Sequence, residues 1–328
     1  MVNSLMHSFT DIKTMYDWKN KRVFVSGGSG VIGTALVDFL LKEGACVFVG
    51  DLKPRPAGWK SLKKYRKGDL ATLQRKVIQD FSPEVFFHLA ATFERSVETA
   101  DFWQENFHHN IFLSHHLLSL QKDLPALKKI VFASSYLIYN TQNYLFSSPQ
   151  KSPYPLSEED EIAPRNLCGM AKLLHEQELA FVRHFRPDLQ IINARIFRSY
   201  GKNSRDIISR WIRAALKGET ISVYRPEGMF DFVYAEDVAK ALKALSETEY
   251  SGIVNVGSGR SRSISEVLDL LKQHLGPIAD VAEKTEIPYE ASQADMQLYH
   301  QLVKGFHFHS LEETLPNLIA YEKKMLRG

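Results

Sequence analysis

The stretch Ser26-Gly27-Gly28-Ser29-Gly30-Val31-Ile32-Gly33 sets glycines at 27, 30 and 33. Between a strand and a helix, that spacing makes a tight turn and lets the backbone approach a pyrophosphate. The helix N-terminus then offers free N–H groups and the positive end of its dipole. Asp51, 18 residues after Gly33 at the end of the next apolar run, suits the rest of a dinucleotide. Its carboxylate can accept both adenosine-ribose hydroxyls and would repel a 2′-phosphate, which favours NAD over NADP. Seven cations follow with no acid between them: Lys53, Arg55, Lys60, Lys63, Lys64, Arg66 and Lys67. They could neutralise a 2′-phosphate or touch RNA, but such runs are ordinarily solvated loop faces. No nucleic-acid partner is expected.

Histidines supply a second candidate chemistry. His108/His109 and His115/His116 lie seven apart, and His307/His309 alternate near the C-terminus. No carboxylate or thiol joins either group at ligand spacing, so no metal is expected.

These residues need elements to hold them. Short β-branched and aromatic runs at Arg22–Ser26, Cys46–Gly50, Val85–Leu89, Ile130–Ser134 and Gln190–Ile196 read as buried strands. Helical spacing fills Val31–Glu43, the stretch around Thr72–Phe81, and Phe107–Gln121. Strands alternating with helices of this length predict an α/β, Rossmann-type, doubly wound parallel sheet. Past Arg195 the regularity weakens into a helix at 206–217, strands at 221–224 and 232–234, a helix at 235–246, a strand at 253–256 and a helix at 263–275. That predicts a smaller C-terminal α/β lobe for a substrate. The expected division is an extension at 1–20, a cofactor domain at 21–194 plus about 232–258, and a substrate lobe at 195–231 and 259–328.

Composition limits the alternatives. The chain has 328 residues, 44% hydrophobic and 24% charged, with a net charge of +3, which is ordinary globular composition. Two cysteines, Cys46 and Cys168, cannot build a disulfide framework. No apolar run approaches a membrane span and no secretory leader pattern opens the chain. A cytoplasmic protein without a membrane partner is expected.

Taken together, the motifs resemble those of the extended short-chain dehydrogenase/reductases, the NAD-dependent epimerase/dehydratases of nucleotide sugars. SGGSGVIG (26–33) resembles that family's phosphate turn, which includes Val31 and Ile32. Gly68-Asp69-Leu70 resembles its adenine-edge motif, and His88-Leu89-Ala90-Ala91 the strand end under the cofactor. Asn110 falls at a structural Asn, and Ser134-Ser135-Tyr136-Leu137-Ile138-Tyr139 resembles SSxxxY, which implies a catalytic hydroxyl at Ser135. Arg195–Gly201 (RIFRSYG), Phe232–Ala239 (FVYAEDVA) and Asn255–Gly259 (NVGSG) follow in the family's order. The resemblance implies NAD as cofactor, held by Gly27, Gly30, Val31, Ile32, Gly33, Asp51, Asp69, Leu70, Leu89, Ala90, Ala91, Asn110 and Lys172. It also implies a homodimer through helices 101–121 and 166–185, with Phe112, Leu113, Leu117 and Leu118 as its apolar face.

The family's reactive pair is a Tyr and a Lys four residues apart, one helical turn. Here Lys172 is in place and the Tyr position holds Cys168. A free thiol titrates near 8.5 against about 10 for a phenol, so on acidity Cys168 is a ready base. Its reach is roughly 3–4 Å shorter by standard bond lengths, which leaves a water, Tyr136 or Glu94 to complete the proton transfer. The family's RDF segment reads Phe230-Asp231-Phe232 and its RxGD segment Pro288-Tyr289-Glu290-Ala291, both without Arg. Compensating cations for a diphosphate are expected among Arg198, Arg205, Arg213, Arg225 and Arg260, with Glu94, Tyr136 and Tyr224 also on the substrate side.

The leading expectation is an NAD-dependent nucleotide-sugar epimerase with Ser135, Cys168 and Lys172 as its catalytic residues. Dehydratase chemistry is disfavoured, because Tyr136-Leu137 follows Ser135 where elimination uses an Asp-Glu pair. A net dehydrogenase or ketoreductase stays open, as does a binding protein that keeps the cofactor without turnover.

Overall fold

The computed structural model describes residues 16–95, 98–278, 281–284 and 287–327. Most of the expected N-terminal extension, 1–15, lies outside the described residues. Of the rest, Trp18 is a core residue, 2% exposed, whose indole donates to Glu247 at 2.6 Å. The end of the extension is thus tied to the core by a lone Trp in a polar stretch, which carries no periodic signal.

Strands β1 (Arg22–Ser26), β2 (Cys46–Asp51), β3 (Lys64–Lys67), β4 (Val85–His88) and β5 (Lys129–Ser135) alternate with helices α1 (Val31–Lys42), α2 (Arg75–Phe81), α3 (Ala100–Asn106) and α4 (Leu113–Ser119). The short strands β6 (Leu145–Phe146) and β7 (Tyr154–Leu156) precede α5 (Leu167–Phe185) and β8 (Gln190–Ile196). After β9 (Arg198–Tyr200) come α6 (Ile207–Lys217), β10 (Ile221–Tyr224), β11 (Met229–Tyr234), α7 (Ala235–Ser246) and β12 (Gly252–Val256). The chain ends with β13 (Ser261–Ser263), α8 (Ile264–Leu275), β14 (Val281–Lys284), β15 (Tyr289–Glu290), β16 (Ser292–Ala294), α9 (Gln297–Leu302) and α10 (Leu311–Arg327).

The main sheet is parallel and seven-stranded, in the order β12-β8-β5-β4-β1-β2-β3. Its side chains alternate between two cores, as the period of two requires. Val23 and Val25 of β1 pack with Leu36, Leu40, Val238 and Leu242 of α1 and α7, while Phe24 turns to Phe48, Ile78, Leu117 and Leu179 on the other face. Both faces are covered by helices, the doubly wound architecture expected from the sequence.

Strand β3 was not foreseen. It lies inside the basic run, which was expected to be a loop face. As the sheet's edge it is a natural place for charge, which discourages further pairing. Lys64 shows how: its ammonium sits 4.6 Å from the Phe48 ring centroid and donates to the Val77 carbonyl at 3.1 Å, so its stem caps the core.

The smaller lobe has its own core, Tyr200, Trp211, Ile212, Phe232, Leu271, Leu315 and Leu318 among others. The division in sequence is less clean than expected: Ala294, Met296, Tyr299 and Phe308 belong to the first lobe's core. An aromatic group, Tyr299 with Phe306 and Phe308, closes that side.

The apolar face expected for a dimer also needs correction. Leu113, Leu117 and Leu118 point into the core, because the turn Phe107–Phe112 between α3 and α4 is π-helical and shifts the helix phase. The exposed large apolar residues on these helices are Trp103, Phe107 and Phe112, with Met170, Leu174, Phe181 and Phe185 on α5.

Candidate active site

The glycine turn joins β1 to α1. Gly27 has φ of 73°, and a Cβ there would come 2.6 Å from the Ala90 backbone nitrogen. A Cβ on Gly33 would come 2.3 Å from the Gly27 carbonyl oxygen. Both positions exclude any side chain, so α1 sits directly on the turn. Gly30 caps α1 with no side-chain hydrogen bond, and no acid lies in the first turn. The first N–H groups of the helix, Val31 and Ile32 among them, are thus left to an anion.

Asp51 ends β2 beside the turn. Its carboxylate accepts the Ser29 and Lys53 N–H groups, each at 2.8 Å, which fixes it facing the turn. Asp69 follows β3, and Leu70 packs under Gly50. At the end of β4, His88 is buried between the Ser26 and Ser114 hydroxyls at 2.7 and 2.9 Å. Burial, with His175 and Lys172 nearby, keeps its pKa well below the usual value, so the ring is neutral. Leu89 and Ala90 then lean on Ser26, which accepts the Leu89 N–H through its carbonyl, and Ala91 leads out to Thr92. An uncapped helix start, an excluded Cβ and a carboxylate at the next strand's end are together the fit expected for NAD.

Asp69 also corrects the histidine reading, because a carboxylate does join the first pair in space. Ligand atoms of Asp69, His108 and His109 lie within 4.8 Å of one another. The His108 Nε2–Asp69 Oδ2 separation, however, is 2.5 Å. Two ligands of one tetrahedral ion, with bonds of ~2.1 Å, stay roughly 3.4 Å apart. The contact is a hydrogen bond. Burial raises the Asp69 pKa, but bonds from His108 and the Ala71 N–H outweigh it and leave it below the usual value.

The reactive side forms where α5 meets the end of β5. Gly169 allows a close approach, since a Cβ there would lie 2.5 Å from the Leu137 carbonyl oxygen. Lys172, one turn into the helix, donates to the Ala133 carbonyl at 2.7 Å and lies over the Phe132 ring. Ser135 stands two residues further along the same strand, its Oγ accepting the Leu137 N–H at 3.2 Å. Burial brings the Lys172 ammonium down to about 8. One turn later Glu176 is buried against Arg195 at 3.0 Å and takes the Ser134 hydroxyl, which anchors the helix.

The surroundings of Cys168 oppose the ready acidity of a free thiol. Its side chain is buried, with Sγ 3.7 Å from Asn110 Nδ2 and its thiol directed at the Thr92 carbonyl at 3.9 Å. Burial pushes the thiol up to about 12, and Glu94 and Glu98 add to this against Lys172. Asn110, in the π-helical turn, binds both the N–H and the carbonyl of Thr92. The thiol lies against this cluster.

The two substitutes expected for it are also engaged. Tyr136 is buried, stacks on Phe197 and donates to Glu290 at 2.9 Å; burial holds its phenol far above its ordinary value. Glu94 accepts from Asn166 at 2.9 Å and faces Arg198 at 3.6 Å.

Arg198 donates to Glu290 at 3.1 Å and lies over the Phe230 ring. Arg165, which sequence reasoning missed, donates to the same Glu290 oxygen at 2.6 Å. No sequence signal marked Arg165; for Glu290 the only hint was an acid in a segment where the resemblance implied an Arg. The other expected cations have partners of their own. Arg225 is tied to the Ile287 carbonyl and the Tyr289 hydroxyl, Arg213 to Glu322, and Arg260 to the Phe308 carbonyl. Tyr224 is partly exposed on β10 beside Arg225, and Arg205 is exposed, with its guanidinium 5.9 Å from the Phe93 ring centroid.

The profile of the NAD dependent epimerase/dehydratase family matches residues 23–257. A UDP-N-acetyl-alpha-D-glucosaminuronate decarboxylase of Bacillus cytotoxicus is 28% identical over 278 residues, covering 77% of this chain and 80% of its own. The structure of MoeE5 in complex with UDP-glucose and NAD is similar at 27% identity and a TM-score of 0.78, over 93% of this chain and 99% of that one. A UDP-glucose 4-epimerase from Thermotoga maritima shares the fold, at 23% identity and a TM-score of 0.81, over 93% and 99%. Epimerases and decarboxylases of nucleotide sugars are both among these relatives. With its glycine turn, strand-end carboxylate and Ser135–Lys172 corner in the same order, the chain belongs to the NAD-dependent epimerase/dehydratase family of enzymes, whose cofactor is NAD.

Proposed function

We propose that the chain is a nucleotide-sugar epimerase working by transient hydride transfer through a keto-sugar. The observation that carries this reading is the corner where Lys172 donates to the Ala133 carbonyl at 2.7 Å, two residues before Ser135 on the same strand. Bound NAD supplies a hydride acceptor that can return the hydride to the other face, so no external reductant is consumed. In this reading Ser135 hydrogen-bonds the reacting sugar oxygen. Lys172, near 8, is the group beside it that exchanges a proton at working pH, through a water. Cys168 takes no part in that transfer. Elimination is disfavoured because Tyr136 follows Ser135 and is bound to Glu290, which leaves no carboxylate next to the hydroxyl in sequence.

The test is NAD-loaded protein incubated with UDP-, GDP-, CDP- and dTDP-sugars, read by NMR and mass spectrometry. A stereoisomer of unchanged mass without accumulating NADH is expected. Loss of CO2 or water, or stoichiometric NADH, refutes epimerisation in favour of the corresponding reaction. Retained NAD with no turnover returns the binding-protein alternative.

The same reading includes a homodimer and a cytoplasmic location. Met170, Leu174, Phe181 and Phe185 are all exposed, and their spacing of 4, 7 and 4 sets them on one stripe of α5. Trp103 and Phe107 extend that apolar surface on the neighbouring helix, and a patch of this kind marks an interface. Sedimentation should show a dimer, and Phe181→Glu with Phe185→Glu should release monomers.

A further inference from the structure

Glu290 is a heavily bonded carboxylate beside Tyr136, the residue that follows Ser135. Its side chain is 3% exposed, and four donors converge on it. Oε2 receives Arg165 at 2.6 Å and Arg198 at 3.1 Å; Oε1 receives the Tyr136 hydroxyl at 2.9 Å and the Ser292 hydroxyl at 2.8 Å. Its backbone is held too, because β15 pairs with β6 in a register that sets Glu290 opposite Leu145. The second terminal nitrogen of Arg198 faces Glu94 at 3.6 Å. Two guanidiniums therefore meet two carboxylates, and the cluster carries no net charge. Both arginines keep about a quarter of their side chains exposed, 25% and 23%, so solvent reaches them although their charge is already matched.

An incoming anion gains little from a neutral cluster. It must also displace a carboxylate that the fold holds in place with charge-assisted bonds. We propose that Glu290 is a specificity-determining residue: the Arg165–Arg198 pair beside Tyr136 receives a neutral, hydroxyl-bearing part of the substrate, and a phosphate or diphosphate is not anchored there. The proposal rests on the reading that this cleft takes a nucleotide sugar, and it assigns the anionic part of that substrate to other groups.

Inorganic pyrophosphate is the direct probe, titrated by calorimetry at low salt into NAD-saturated protein so that the cofactor's own phosphate turn is filled. The wild type and Arg198→Met should bind it alike, within about twofold. Glu290→Gln, which leaves the cluster with an uncompensated cation, should bind it at least tenfold more tightly, and added salt should erase the gain. A tenfold loss on Arg198→Met overturns the proposal, because the pair would then already be an anion site. A Glu290→Gln protein that retains NAD yet binds pyrophosphate no better than the wild type also overturns it. Should Glu290→Gln not fold, the Arg198→Met comparison decides alone. Failure of the nucleotide-sugar reading would appear separately, as no turnover with any sugar nucleotide, since the pyrophosphate comparison requires no turnover.

Discussion

A thiol one turn before a lysine invites the reading of an activated cysteine, and the environment of Cys168 allows a quantitative test. With its pKa pushed up to about 12 by burial, only about one thiol in 10,000 is ionised at pH 8, against roughly a quarter of ordinary thiols near 8.5. A more basic thiolate is intrinsically more nucleophilic, which returns roughly 25- to 55-fold at a Brønsted slope of 0.4–0.5. Alkylation should therefore be roughly 40- to 100-fold slower than for an exposed thiol, before any steric shielding. The assay is iodoacetamide labelling of native protein at pH 8, followed by peptide mass spectrometry, with urea-unfolded protein as the reference for the same residue. Cys168→Ala removes one buried sulfur, at a cost on the order of 1 kcal/mol of stability. Turnover should remain within about threefold, whereas loss of a general base typically costs ~10²–10⁴-fold. Native labelling at the unfolded rate, or a hundredfold fall in Cys168→Ala, would refute the assignment of this thiol to structure.

Other perturbations follow from the same geometry. Asp51→Asn should narrow the preference for NAD over NADP; a hydrogen bond to a charged group contributes about 1.5–3 kcal/mol, or roughly a ten- to hundredfold change in the ratio of dissociation constants. Equal affinities for the two cofactors in the wild type would remove Asp51 from that role. Gly33→Ala forces a methyl to 2.3 Å from the Gly27 carbonyl, so NAD binding measured by fluorescence should be lost or greatly weakened, together with thermal stability. Acid should weaken the fold through Glu290. Burial alone would raise this carboxyl, but Arg198 and Arg165 outweigh it and hold it at about 2. The unfolded chain takes up the proton first, near 4.5, so this contribution is complete above that pH and is lost as pH falls from about 4.5 toward 2. In denaturant melts across that window, Glu290→Gln should show a shallower pH dependence than the wild type; parallel curves would contradict the assignment.

Local chemistry made much of the molecule legible in the sequence. The glycine spacing at 27–33 needs no distant partner, because a turn that excludes a Cβ is a property of consecutive residues. Strands such as Arg22–Ser26 and Cys46–Asp51 announce themselves by a short run of β-branched and aromatic residues, and Asp51 is placed by following its strand. Lys172 could be located relative to Ser135 only through the family resemblance, and in the structure it bonds Ala133, two residues before Ser135 on β5. Where one position decided direction, the sequence was insufficient. The π-helical turn at 107–112 rotates Leu113, Leu117 and Leu118 into the core and leaves Trp103 and Phe107 outside, a phase change that a regular helical period does not contain.

Charge and acidity were decided only in three dimensions. In isolation Cys168 is an ordinary thiol of ready acidity, and its raised pKa comes from burial against Asn110 and Thr92, 58 and 76 residues away in the chain. Arg198 reads as a free cation for a phosphate until Glu290, 92 residues later, is folded behind it. Arg165 joins the same carboxylate across 125 residues. The sequence by itself determined most of the regular elements and where a dinucleotide can lie, because those depend on backbone freedom and on the period of apolar residues. The tertiary structure determined which side chains remain available for chemistry, because desolvation and counter-charge act through space on groups that chain position keeps apart.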